Sequence, residues 1–114
     1  MRLEVTAGNG VSILRFKGDR LDAHNSDDLK AKIKEIFEGG AKSVLVDLTE
    51  VRFIDSSGLG ALVSGFKNAI NYKGSLALTG LQDQVRSMFE LTRLNRVFDI
   101  YASVEEALAA LSGK

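Results

Sequence analysis

Apolar and polar positions alternate along the first part of the chain. Leu3, Val5 and Ala7 alternate in one segment, and Val11, Ile13, Leu14 and Phe16 mark a second that runs to Gly18. A period of two belongs to a strand with one covered face. Gly8-Asn9-Gly10 lies between the two segments, and these residue types tolerate the positive φ of a tight turn. The pair therefore predicts a hairpin. Gly18-Asp19-Arg20-Leu21-Asp22 leaves the second strand, and Ala23-His24-Asn25 continues as a loop. The period then changes: Leu29, Ile33, Ile36 and Phe37 recur at helical spacing. Ser26 is the expected cap of that helix, with Asp27 and Asp28 complementing its dipole and Gly39-Gly40 stopping it.

Ser43-Val44-Leu45-Val46-Asp47-Leu48 is a nearly continuous apolar run, as in a strand covered on both faces. Thr49 to Ile54 reads as a connection whose Val51, Phe53 and Ile54 tuck inward. A helix begins near Ser56 or Ser57, with Leu59, Leu62, Val63, Phe66 and Ile70 on its apolar side and Lys73-Gly74 at its end. Ser75 to Thr79 is a strand followed by Gly80. Val85, Met88, Phe89 and Leu91 mark a third helix, and Val97 to Tyr101 a short strand. Ser103 caps a last helix, with Glu106 three residues on, as in a capping box. Leu108 and Leu111, with Ala107 and Ala110, form its core stripe. The order β-β-α-β-α-β-α-β-α predicts a single α/β domain: a mixed sheet with an N-terminal hairpin and parallel crossovers, packed with four helices.

Composition narrows the function more than the fold. The chain has 114 residues, a length that suits one domain. Fifteen basic and fifteen acidic residues cancel, which argues against a nucleic-acid binder or a basic membrane-surface helix. No apolar run reaches the length of a membrane span, and the N-terminus has no signal-peptide core, so the expected location is the cytoplasm. There is no cysteine and one histidine, His24, in a polar loop. Thiolate metal sites are excluded, a histidine-rich one is hard to build, and no metal or cofactor is expected.

The segment Asp55-Ser56-Ser57-Gly58-Leu59-Gly60 departs from purely structural logic. Serines at a helix start are ordinarily caps, and Asp55 can serve as one too. Gly58 and Gly60, however, each cost a helix roughly 1 kcal/mol relative to alanine. Their small size suits close approach by another backbone or a ligand. Leu59 between them is expected partly exposed, as an apolar contact on a docking surface.

Val44-Leu45-Val46-Asp47-Leu48, then Val51-Arg52-Phe53-Ile54-Asp55-Ser56-Ser57-Gly58-Leu59-Gly60, resembles the anti-sigma factor antagonists of the STAS domain family. Gly18-Asp19-Arg20-Leu21-Asp22 resembles that family's loop before the first helix. The resemblance extends over essentially the whole chain. It implies that Ser56, directly after the aspartate, is phosphorylated. The kinase would be an anti-sigma factor using ATP, and a separate serine phosphatase would reverse the step. The unphosphorylated protein would bind the anti-sigma factor and free a sigma factor, performing no catalysis itself. Asp22 and Asn25 in the upstream loop join Asp55, Ser57, Gly58, Leu59 and Gly60 as expected partner contacts.

Two other readings compete. A serine hydrolase would need a base near Ser56 and an oxyanion hole, and no Gly-x-Ser-x-Gly elbow is present. A STAS-like domain standing permanently in a stress-sensing scaffold or a lipid-transporter assembly would share the fold without a phosphorylation cycle.

Overall fold

The computed structural model describes residues 2–8 and 10–112. Strands β1 (Arg2–Gly8) and β2 (Val11–Lys17) pair antiparallel from Gly8↔Val11 onward, confirming the hairpin. Gly10 at the turn has φ +80°, the left-handed conformation glycine adopts cheaply; Asn9, assigned to the same turn, lies outside the described residues. Next come β3 (Arg20–Leu21), α1 (Ser26–Glu38), β4 (Ser43–Asp47), β5 (Phe53–Ile54) and α2 (Ser56–Asn71). β6 (Ser75–Thr79), α3 (Asp83–Leu91), a short 3-10 turn at Leu94–Arg96, β7 (Asp99–Tyr101) and α4 (Val104–Ser112) complete the order.

The main sheet runs β1-β2-β4-β6-β7, with β1 antiparallel and the remaining neighbours parallel. Each parallel step is bridged by a helix, as strand-helix alternation requires. Helices α1, α2 and α3 bury Leu29, Ile33, Phe37, Leu62, Val85 and Phe89 against one face of the sheet. Helix α4 covers the other, placing Ala107 and Leu111 on Val11, Ile13, Leu45 and Ala77. Two covered faces explain why β4 is apolar at consecutive positions: Val44, Leu45 and Val46 are all fully buried.

Helix ends follow the sequence in some places and not in others. Gly39 and Gly40 end α1, the latter at φ +103°, and the Ser103 hydroxyl accepts from the Glu106 N–H at 3.1 Å. Ser26, expected as a cap, is instead the first residue of α1 and is buried. The cap position belongs to Asn25, whose carbonyl accepts the first helical bond from the Leu29 N–H. The strands β3 and β5 are an addition that periodicity did not foretell. They form a separate two-stranded parallel ribbon, Arg20↔Phe53 and Leu21↔Ile54. This ribbon holds the loop before α1 against the start of α2.

Candidate functional site at the start of helix α2

Strand β5 delivers the chain into α2 with almost no slack. The Asp19 carbonyl accepts from the Arg52 and Phe53 N–H groups at 2.8 and 3.1 Å. The Asp55 N–H donates to the Leu21 carbonyl at 3.3 Å. Asp55 then turns its side chain back, and its Oδ1 accepts from the Gly58 N–H at 3.0 Å. Asp55 is therefore the cap. Ser56 and Ser57, serines at a helix start, do not hold that duty, because the extended backbone at Asp55 already aims a carboxylate at the third helical residue. Ser56 is the first residue of α2 and is exposed, with its hydroxyl free of any capping role.

The small residues divide by what they face. A Cβ built on Gly58 would lie 2.6 Å from the Leu21 carbonyl oxygen and 2.8 Å from Ile54 Cγ1. Glycine is thus what lets β3 cross the first turn of α2. Gly58 is buried and serves the fold from beneath the surface. Leu59 corrects the expectation of a partly exposed contact: it is 6% exposed and packs in the main core. The helix turns it inward, toward the sheet. Gly60 is exposed, and a Cβ there meets nothing within 4 Å. Asp55 and Ser57 are half-buried beside Ser56.

Asp22 and Asn25 lie in the loop between β3 and α1, and their polar atoms are largely engaged within it. Asn25 accepts from the Asp22 N–H at 3.0 Å and donates to the Arg20 carbonyl at 2.8 Å. Asp22 accepts from the His24 N–H at 3.0 Å and lies 3.4 Å from Arg20 Nε. The Arg20 guanidinium also sits 4.4 Å above the Phe53 ring, which ties the loop to β5. Both residues therefore shape the loop flanking α2.

Helix α3 adds residues to which the sequence reading gave no part in the site. Phe53, Ile54, Asp55, Ser56, Gln84, Ser87, Met88 and Leu91 line a groove of about 440 Å³. Val85 and Phe89 are buried, as expected, whereas Leu91 is 80% exposed. The legible signal is a second stripe: Gln84, Met88 and Leu91 follow helical spacing but are offset from Val85 and Phe89. On the far side of Ser56, Ser26, Asp27, Lys30, Ser57, Gly60 and Ala61 line a smaller cleft of about 330 Å³ between α1 and α2. A further cleft lies beside β2, where Lys17 Nζ is 2.8 Å from Glu50 and Arg15 Nε is 3.3 Å from Asp47. Its cations are already partnered, and the Glu50 carboxylate, with Glu4 adding to it, raises the Lys17 pKa above its ordinary value.

The family model described as the STAS domain matches residues 2–107. The chain belongs to the STAS domain family. Among curated proteins, this STAS chain is 35% identical over 86 residues to an anti-sigma-B factor antagonist of Listeria monocytogenes, covering 75% of each. It is 29% identical over 113 residues to an anti-sigma F factor antagonist of Paenibacillus polymyxa, covering 97% of this chain and 95% of that one. Among solved structures, it superposes at a TM-score of 0.88 and 25% identity on an anti-sigma-factor antagonist domain protein from Planctomyces limnophilus, over 96% of this chain and 97% of that one. The fold is also that of the antagonist SpoIIAA in its unphosphorylated form, at a TM-score of 0.75 and 22% identity, covering 99% of this chain and 100% of that one. Among the described residues, no helix is long and apolar enough to cross a membrane.

Proposed function

We propose that this STAS protein is an anti-sigma factor antagonist, switched off by phosphorylation of Ser56. The unphosphorylated form binds an anti-sigma factor that is also a serine kinase, and so releases a sigma factor. A serine phosphatase restores the binding form. The observation that carries the reading is the position of Ser56: exposed, first in α2, and relieved of capping by Asp55. Its hydroxyl is open to a kinase, and nothing in the fold depends on it. Relatives named as antagonists of anti-sigma-B and anti-sigma F factors support the partner class. SpoIIAA, which shares the fold, has been solved in a phosphorylated form.

The physics of the switch follows from what surrounds that hydroxyl. A phosphoserine adds roughly −1.5 to −2 charges at neutral pH. At a helix N-terminus an anion gains about 0.3–1 kcal/mol, and the adjacent Asp55 carboxylate opposes that gain. The fold is therefore nearly indifferent to the modification. An interface is not, because burying an unpaired charge costs several kcal/mol, and about 1.4 kcal/mol is a tenfold change in affinity. The phosphate expels the partner by bulk and charge without remodelling the domain. Ser56→Asp should abolish retention of the anti-sigma factor in a pull-down and leave the melting curve almost unchanged. ATP should release the wild-type complex, with mass spectrometry locating the phosphate on Ser56 and not Ser57. An Asp variant that stays fully bound would refute the switch.

A further inference from the structure

The two edges of the main sheet are unlike. On one side β7 has three residues and begins with the charged Asp99. On the other, β1 has seven, and all of them pair with β2 from Arg2↔Lys17 to Gly8↔Val11. Among the described residues no strand lies beyond β1, so its outer row of backbone N–H and C=O groups has no ladder partner. Open edges are ordinarily blunted by proline, lysine or a bulge. β1 contains neither proline nor lysine, and its register with β2 skips no residue. Its mid-strand charge, Glu4, is answered within the sheet by Arg15 opposite it and by Lys17 Nζ at 4.0 Å.

Side chains alternate between the faces of a strand. Leu3 and Val5 share the face of Phe16 and Leu14, their β2 partners, which are buried in the main core. At the edge this apolar row runs out into water: Val5 is 44% exposed and Ala7 is exposed. A bare ladder edge is matched by another extended strand, and this one favours a strand with apolar residues at alternate positions. β1 itself is such a strand. Laid antiparallel to itself about a twofold axis at Val5, it pairs along its whole length. Val5 then faces Val5, Leu3 faces Ala7, and Glu4 faces Thr6. An axis at Glu4 would set two carboxylates against each other, and an axis at Leu3 or Thr6 would shorten the ladder.

We infer that β1 is a dimerisation edge, occupied by the β1 strand of a second copy of this chain in antiparallel register about Val5. The two five-stranded sheets join into one continuous sheet, no wider than open sheets reach. The contact uses the same surface on both copies and therefore closes, leaving the short β7 strands as the outer edges. A seven-residue strand is only about 23 Å long, so the interface is smaller than that of a permanent dimer. Association is accordingly weak, with a dissociation constant on the order of 10 µM. The edge is also remote from Ser56. Helix α2 packs on β6, and β2 and β4 lie between that strand and β1. Each dimer presents two uncovered Ser56 hydroxyls, and pairing is independent of a charge placed there.

The test is sedimentation equilibrium of the purified protein, with a melting curve for each variant. The wild type should pass from monomer to dimer as its concentration crosses the micromolar range. Val5→Lys sets two cations against each other at the axis and should stay monomeric, as should Val5→Glu. An equimolar mixture of the two should dimerise again, because opposite charges then face each other. The chain has no cysteine, and residues directly opposite in an antiparallel pair have Cα atoms about 4.5–5.5 Å apart, within disulfide reach. Val5→Cys should therefore oxidise to a covalent dimer, whereas Ile70→Cys, exposed at the far end of α2, should not. That cross-link reads the register even if a charged variant fails to fold. Ser56→Asp should dimerise as wild type. A wild type that stays monomeric well above the expected constant overturns the proposal, as does a folded Val5→Lys that dimerises normally. A charge-swapped mixture that stays monomeric while the wild type pairs overturns the axis at Val5. A monomeric Ser56→Asp would move the interface to α2 and overturn the assignment to β1.

Discussion

The first two turns of α2 have an inner and an outer side, and the same kind of residue means opposite things on each. On the inner side, Gly58 lies beneath the end of β3, so close that no Cβ fits. Leu59 beside it is sunk in the core. On the outer side, Gly60 looks onto open space and Ser56 is exposed. Glycine inside is a requirement of the fold, whereas glycine outside weakens the helix and meets no packing need within the chain. The inner side fixes where the helix begins. The outer side is consequently held in place yet free, which is what the proposed switch asks of it.

The largest expected effect belongs to the inner side. Leu59→Ala removes a buried side chain from the core shared by the sheet and helices α1 to α3. Such truncations cost about 2–5 kcal/mol. The midpoint of urea unfolding should fall accordingly, with the slope of the transition unchanged. A cost below about 0.5 kcal/mol would mean that Leu59 spends much of its time outside the core, and the division into two sides would fail.

Gly58→Ala comes next. The added methyl must displace the Leu21 carbonyl or the Ile54 side chain, and overpacking of this kind costs about 1–3 kcal/mol. The helix regains up to about 1 kcal/mol from alanine, so a net loss of roughly 1–2 kcal/mol is expected. The sign is the decisive feature. Thermal melts should move down for Gly58→Ala and up for Gly60→Ala, although the two substitutions are chemically identical and two residues apart. Shifts in the same direction would erase the contrast.

That contrast was half legible in the sequence. Regular periodicity exposed the hairpin, the doubly covered strand β4 and all four helices, because burial repeats at fixed spacing whatever lies opposite. The motif around Ser56 was legible for the same reason that it is costly: glycines in a first turn contradict helix propensity. What escaped notice depends on neighbours distant in sequence. Strands β3 and β5 have two residues each, too few to show a period, and exist only because each offers the other a hydrogen-bonding edge. Leu59 lies on the apolar side, as its spacing says, but was expected partly exposed because spacing alone does not say how deep the first turn sits; Leu21 and Ile54, packed around Gly58, decide it. Leu91 was placed inside because it is apolar and in helical register, yet α3 offers only Val85 and Phe89 a full burial site. Ser26 lost its cap duty to Asn25, whose side chain is held upstream by Arg20 and Asp22.

The smallest expected effect tests the residue standing between the two sides. Asp55 serves the inner side through its bond to the Gly58 N–H, and in doing so frees Ser56 on the outer one. Losing a helix cap costs about 1 kcal/mol, which lowers Tm by a few degrees in a domain of this size. Asp55→Ala should show that drop, Asp55→Asn should recover nearly all of it, and Ser56→Ala should melt within the error of wild type. The comparison turns on which residue pays for its removal. Were Ser56→Ala to cost as much as a cap and Asp55→Ala to cost nothing, the hydroxyl would be holding the helix together. Phosphorylation would then disturb the fold as well as the interface, and α2 would have no free side on which a switch could act without remodelling the domain.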